Sequence, residues 1–204
     1  MMGKTHLAVG IAAAYAITQP KTVPGFIIAT VGGSIGGVMA DIDVKIDKRN
    51  KYAKKASLDA LYAEILAVAI SAAALAADYF TGRILLQWFI ANLLRTIIGV
   101  VIFIGLTVIG ELSQHRDRTH SILAMLLFSI SVWLIEPHIG FTFAIGYGSH
   151  LTIDLCNKSP IRILYPVKKG ICFSLCYADG LANEMILVCS VFITVLYVFI
   201  HSII

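Results

Sequence analysis

The sequence predicts an all-α polytopic membrane protein, with about five to seven transmembrane or half-spanning helices in a single integral-membrane domain over residues 1–204. Three observations lead there. Of the 204 residues, 58% are hydrophobic and 14% charged, against about 45–50% and about 25% in soluble domains. The charged residues gather between apolar runs whose lengths approach the roughly 20 residues of a full helical span. Those runs are continuous in Leu, Ile, Ala and Val and lack the period-two alternation of a lipid-facing barrel strand. A soluble domain and a disordered chain are thereby excluded. Four Cys in 204 residues are too sparse for a disulfide scaffold.

Seven runs are read in chain order, at 7–18, 24–40, 58–77, 84–110, 121–135, 139–153 and 185–203. The first is short and follows Lys4 and His6. It has no isolated small-residue cleavage site, so it reads as a retained helix and not as a signal peptide. The second contains Gly32-Gly33-Ser34-Ile35-Gly36-Gly37. No strand precedes it and no acidic residue follows in the context a dinucleotide loop needs. Its two small-xxx-small spacings, Gly32 with Gly36 and Gly33 with Gly37, predict close helix packing instead. The third run is long enough to span alone and carries Glu64; the fourth carries Arg95. An isolated charge in hydrocarbon is costly, so a Glu64–Arg95 pair is expected. The fifth run begins at Thr119-His120-Ser121, where Thr119 or Ser121 can cap it. The sixth is short enough to be a half-helix buried against its neighbours. The last spans alone, with Glu184 as a helix-N-terminal charge at its start.

Threading the runs up and down distributes the basic residues unevenly. Thirteen fall on one side, namely Lys4, Lys45, Lys48, Arg49, Lys51, Lys54, Lys55, Arg116, Arg118, Lys158, Arg162, Lys168 and Lys169, and two, Lys21 and Arg83, on the other. Basic loops stay cytoplasmic. This reading gives a multi-pass protein of the bacterial cytoplasmic (inner) membrane with cytoplasmic loops near 41–57, 111–120 and 155–184. The basic run 45–55 is explained by topology and by attraction to anionic headgroups, so membrane lipids and not nucleic acid are the expected partners. The loop 155–184 has room for one short helix. Its Cys172 and Cys176 have no second close pair to complete a zinc ribbon, and with Cys156 and Cys189 they read as small apolar residues in a reducing compartment.

Seven side chains of metal-binding type fall at the cytoplasmic ends of these runs. His6 opens the first, Asp41 and Asp43 end the second, His115 and His120 lie between the fourth and fifth, and His150 and Asp154 close the sixth. His150 and Asp154 are one helical turn apart on one face, so both can reach a single ion. Two carboxylates as close as Asp41 and Asp43 repel unless a cation or proton lies between them. Arg116 and Arg118 can hold a phosphate bidentately.

The elements Thr5-His6, Asp41-x-Asp43, His115-Arg116-x-x-Thr119-His120-Ser121 and Gly146-Tyr147-x-x-His150-Leu151-x-x-Asp154 resemble the YdjM-like family. This is a family of LexA-regulated inner-membrane proteins described as metal-dependent hydrolases. The resemblance extends over nearly the whole chain, with Ala40 where a Pro often precedes the first Asp. It implies a metal centre held by His6, Asp41, Asp43, His115, His120, His150 and Asp154.

Imidazoles and carboxylates without an obligatory thiolate suit Zn, Mn or Fe, with Zn or Mn expected here. Seven candidate ligands exceed one tetrahedral ion, so either two ions or one ion with surplus residues around it is expected. The expected function is a membrane-embedded hydrolase that acts on a phosphoester or lipid-type substrate through metal-activated water. In that reading Asp43 or Asp154 takes the proton and Arg116 stabilises the anionic group. A transporter or channel, and a non-catalytic membrane protein stabilised by metal, are the rival classes.

Overall fold

The computed structural model describes residues 1–46, 51–112, 116 and 118–203. The described residues form helices α1 (Gly3–Thr18), α2 (Val23–Met39), α3 (Lys51–Thr81), α4 (Ile84–Ala91), α5 (Leu93–Glu111), α6 (Ile122–Ile135), α7 (Pro137–Leu155) and α8 (Leu181–Ile203). A 3₁₀ turn, Ala40–Asp43, tightens the end of α2. Four helical segments are long and apolar enough to cross a membrane, Val23–Asp43, Lys51–Thr81, Leu93–Glu111 and Leu181–His201, with the shorter apolar helix Ile122–Ile135 beside them.

The helices sort by what they face. α2 lies at the centre, packed most extensively on α7 and then on α1. The predicted small-residue spacings make that possible. A Cβ on Gly33 would lie 2.7 Å from the Gly10 carbonyl of α1, and one on Gly37 would lie 2.7 Å from the His6 carbonyl. Gly32 and Gly36 press on Thr142 and Phe143 of α7. Without side chains there, three backbones approach closely, as small residues permit in membrane bundles. Around this centre, α3, α5 and α8 turn large apolar side chains such as Val68, Ile104 and Phe192 outward. Such exposure suits a hydrocarbon solvent, not water.

Several expectations need correction. The fourth run is two helices: Asn92 breaks it, its side-chain amide donating to the Trp88 carbonyl at 3.0 Å. An Asn amide competes in this way with the helix ladder. The third helix begins at Lys51, seven residues before the apolar run, because no helix breaker stands between them. Part of the expected loop 41–57 is therefore helical. The segment 156–180 contains no helix and is held by isolated bridges, Asn157 with Cys176 and Ile161 with Ile171.

Glu64 and Arg95 do not pair. Arg95 donates to the Trp133 carbonyl at 2.8 Å and lies over the Trp133 ring, 4.4 Å from its centroid. Glu64 lies in the field of Asp41, Asp43 and Glu111. Arg95 stands two residues into α5, where an aromatic and carbonyl partner at the span end costs less than a charge carried to mid-membrane.

Candidate metal centre

Four chain segments deliver polar side chains to one end of the bundle: the start of α1, the turn after α2, the residues before α6 and the end of α7. In the 3₁₀ turn, with three residues per turn, positions i and i+2 point about 120° apart. Asp41 and Asp43 consequently face different neighbours. Asp41 Oδ1 stands 3.4 Å from His120 Nε2 and 3.8 Å from His150 Nε2. Asp43 Oδ2 instead accepts a hydrogen bond from the Thr119 hydroxyl at 2.7 Å.

His120 is set by the short segment before α6. Tyr147 of α7 donates its hydroxyl to the Thr119 carbonyl at 2.6 Å, and Ser121 caps α6 by accepting from Ala124 N at 3.1 Å. Of the two capping candidates Ser121 therefore takes that role. Thr119 Oγ1 lies 3.2 Å from His120 Nδ1. Its one proton already goes to Asp43, so it accepts from the His120 Nδ1–H. This relay turns Nε2 of His120, with its lone pair, toward the cluster.

His150 is set in the same way by a different partner. Its Nδ1–H donates to the Gly37 carbonyl at 2.8 Å, which α2 and α7 can form only because Gly146 lets the helices touch. A Cβ on Gly146 would lie 2.7 Å from the Gly33 carbonyl. Fixing one imidazole nitrogen with a carbonyl or carboxylate relay is how metal-binding histidines are oriented. The His6 ring stacks on His150, centroids 3.6 Å apart and 13° from parallel.

Asp154, one turn beyond His150, joins the segments. Its Oδ1 accepts from Asn157 Nδ2 at 2.7 Å, meets the α-amino group of Met1 at 2.5 Å and lies 3.2 Å from His6 Nε2. Its Oδ2 faces His120 Nε2 at 3.4 Å, His150 Nε2 at 3.8 Å and Arg116 Nη2 at 3.6 Å.

The donor atoms form two overlapping groups, His6–His150–Asp154 and Asp41–His120–His150, each mutually within 4.8 Å. All five residues are withdrawn from solvent, at 1% exposure for His6, 7% for Asp41, 0% for His120 and His150, and 1% for Asp154. Burial of that degree demands partners, yet neither ring nitrogen of His6 nor Oδ2 of Asp154 makes a hydrogen bond. Orphaned nitrogen and carboxylate atoms converging on one point are what a divalent cation satisfies. Burial alone pushes the His120 pKa down, but the facing Asp154 and Asp41 carboxylates outweigh it and raise it to about 9.

The structure thus brings together His6, Asp41, His120, His150 and Asp154. Asp43 stands one hydroxyl away, behind Thr119, and belongs to neither donor group. Arg116 reaches Asp154 from the edge of the site while its Nη1 donates to the Ser159 carbonyl at 3.0 Å. His115 lies outside the described residues. Three contributors were absent from the sequence reading of the site, Asn157, the Gly37 carbonyl and the α-amino group of Met1. Asn157 sits three residues after Asp154, a spacing that signals a side-chain contact at a helix end; a carbonyl carries no sequence signal at all.

A 94-residue segment, 45% of the chain, is 28% identical to the uncharacterized protein YvsG of Bacillus subtilis (strain 168). The match spans 59% of that relative's length. No solved structure matches. The profile of the YdjM inner membrane protein family matches residues 1–204, the whole chain. With its apolar helices this makes the molecule a multi-pass protein of the inner membrane, and the chain belongs to the YdjM inner membrane protein family.

Proposed function

We propose that this protein hydrolyses a phosphoester, of phospholipid or isoprenoid-phosphate type, at the cytoplasmic face of the membrane. It does so with one or two divalent ions, Zn or Mn, held by His6, Asp41, His120, His150 and Asp154. The observation that carries the reading is the convergence of five buried donors, among which the ring nitrogens of His6 and Oδ2 of Asp154 have no hydrogen-bond partner. A divalent ion bound there supplies Lewis acidity and an activated water near neutral pH.

The remaining work falls to the chain. Once Nδ1 donates to Gly37, His150 offers one lone pair, on the Nε2 that lies 3.4 Å from His120 Nε2, so it would serve one ion only. The two donor groups would therefore hold one ion together, or one ion each. Oδ2 of Asp154, which makes no hydrogen bond and faces His120 and His150, would be the oxygen that accepts a proton from an attacking water. Asp43 acts through Thr119 to hold His120. Arg116, with 21% of its side chain exposed, brings positive charge to the mouth of the site, where it balances an anionic phosphate. The excess of thirteen basic residues over two supports a cytoplasmic orientation.

Position supports hydrolysis over transport: the donors stand at helix ends, whereas transport sites lie near the midplane. The near-complete burial of all five donors favours a second reading, an ion that only holds the fold together. Turnover separates the two. Full-length protein in lipid nanodiscs is assayed on phosphomonoester, phosphodiester and lipid-phosphate substrates, with chelator and with Zn or Mn restored. Hydrolysis that chelation abolishes, metal restores and Asp154→Asn removes supports the enzyme. Bound metal with no turnover on any of these substrates overturns it in favour of the structural ion.

A further inference from the structure

α8 leans on α1, and α3 packs against α1 and α2, leaving a cleft between α3 and α8 on the outer side of α1. It has a volume of about 270 Å³ and is lined by Leu7 and Ile11 of α1, Leu66 and Ile70 of α3, and Leu187 and Val191 of α8. Helical spacing sets this face roughly opposite His6, so the cleft is separate from the metal centre and does not rest on its assignment. Water in such a cleft would find almost no polar partner, and emptiness would forfeit dispersion contacts along every wall. Hydrocarbon is the occupant that suits it.

One end of the cleft is charged. Lys4 lines it, and its Nζ stands 3.6 Å from Glu184 Oε1, the two side chains 44% and 55% exposed. Lys4 is held in place by its backbone N–H, which donates to Asp59 Oδ2 at 3.1 Å. An ion pair that open contributes little by itself and separates readily. Separated, it presents a cation and an anion side by side above an apolar slot. That arrangement complements a phosphate next to a primary ammonium.

We propose that the α1–α3–α8 cleft binds one acyl chain of a zwitterionic aminophospholipid, with Lys4 on the phosphate and Glu184 on the ammonium. A quaternary ammonium has no N–H to donate to Glu184, and an anionic headgroup leaves Glu184 facing negative charge. The site therefore discriminates among headgroups as well as accepting a chain.

The test uses full-length protein in mild detergent, titrated with phosphatidylethanolamine, phosphatidylglycerol and phosphatidylcholine of matched chains. Bound lipid is counted by native mass spectrometry. One phosphatidylethanolamine per chain, retained roughly fivefold more tightly than either other lipid, is expected. Glu184→Gln removes its advantage over phosphatidylglycerol. Val191→Trp fills the cleft and releases all three lipids, whereas Leu196→Trp, on the same helix about 140° around from Val191, keeps wild-type retention and controls for folding. Equal retention of the three lipids by the wild type overturns headgroup recognition. Wild-type retention by Val191→Trp, or a dimer that this substitution dissociates, overturns the cleft as a lipid site.

Discussion

Thr119→Val tests the relay that connects Asp43 to the donor cluster. The substitution keeps shape and β-branching but removes the hydroxyl that donates to Asp43 at 2.7 Å and receives His120 Nδ1 at 3.2 Å. Two effects follow, and they can be separated. A buried carboxylate loses a donor, which costs about 1–3 kcal/mol of stability. His120 loses the partner that aims Nε2 at Asp41 and Asp154, and removal of such an orienting contact typically lowers metal affinity about 10–100-fold, or roughly 1.4–2.7 kcal/mol. Zn and Mn affinities are measured by chelator competition on the purified protein, beside the melting temperature of the metal-free form. Thr119→Ser, which restores the hydroxyl, is expected to recover most of the affinity. Wild-type affinity in Thr119→Val would refute the relay. A loss that Thr119→Ser fails to recover would equally show that the hydroxyl is not what orients His120.

Other consequences are open to measurement. Gly37→Ala places a methyl 2.7 Å from the His6 carbonyl and 3.2 Å from the Gly10 Cα, both backbone atoms that cannot swing aside. A loss of about 1–3 kcal/mol in the unfolding equilibrium is expected, and a melting temperature unchanged from wild type would contradict the packing. The raised pKa of His120, about 9, gives opposite pH slopes with and without metal. The metal-free protein keeps the full stabilisation of the His120 imidazolium below its unfolded value near 6.5 and loses it as pH rises through about 9. Metal affinity instead climbs over that range because the proton on His120 competes with the ion. Slopes of the same sign would contradict the assignment. Because Arg95 is engaged with Trp133 and not with Glu64, the stability effects of Arg95→Leu and Glu64→Gln should add to within about 0.5 kcal/mol. A double variant more stable than either single one would reinstate the pair.

The parts of the fold visible in the sequence are those governed by one-dimensional patterns. Hydropathy alone locates the apolar helices, because in hydrocarbon the backbone must satisfy itself and a span of given length follows. The Gly32–Gly37 stripe announces its own close packing, since nothing larger would fit there. The convergence of His6, Asp41, His120, His150 and Asp154 is likewise visible, because all five lie at helix ends that up-and-down threading puts on one side. What stays hidden is decided by geometry finer than sidedness. Asp41 and Asp43 look equivalent in the sequence, and only the tight 3₁₀ turn sends one to the cluster and the other to Thr119. The same limit explains Arg95. A charge balance argument seeks an opposite charge, whereas the chain offers a carbonyl and two indole rings at the span end. The break at Asn92 depends on one side-chain amide choosing a backbone partner, which an apolar run does not reveal.

The metal content of the protein beside that of His150→Ala tests the central claim most directly, because His150 is common to both donor groups. Purified wild type, loaded with Zn or Mn and dialysed, should retain one or two ions per chain. His150→Ala should retain less than about a tenth of that while the metal-free forms of both melt as folded protein. A wild type that holds no ion after loading, or a His150→Ala protein that holds the full complement, would contradict the account.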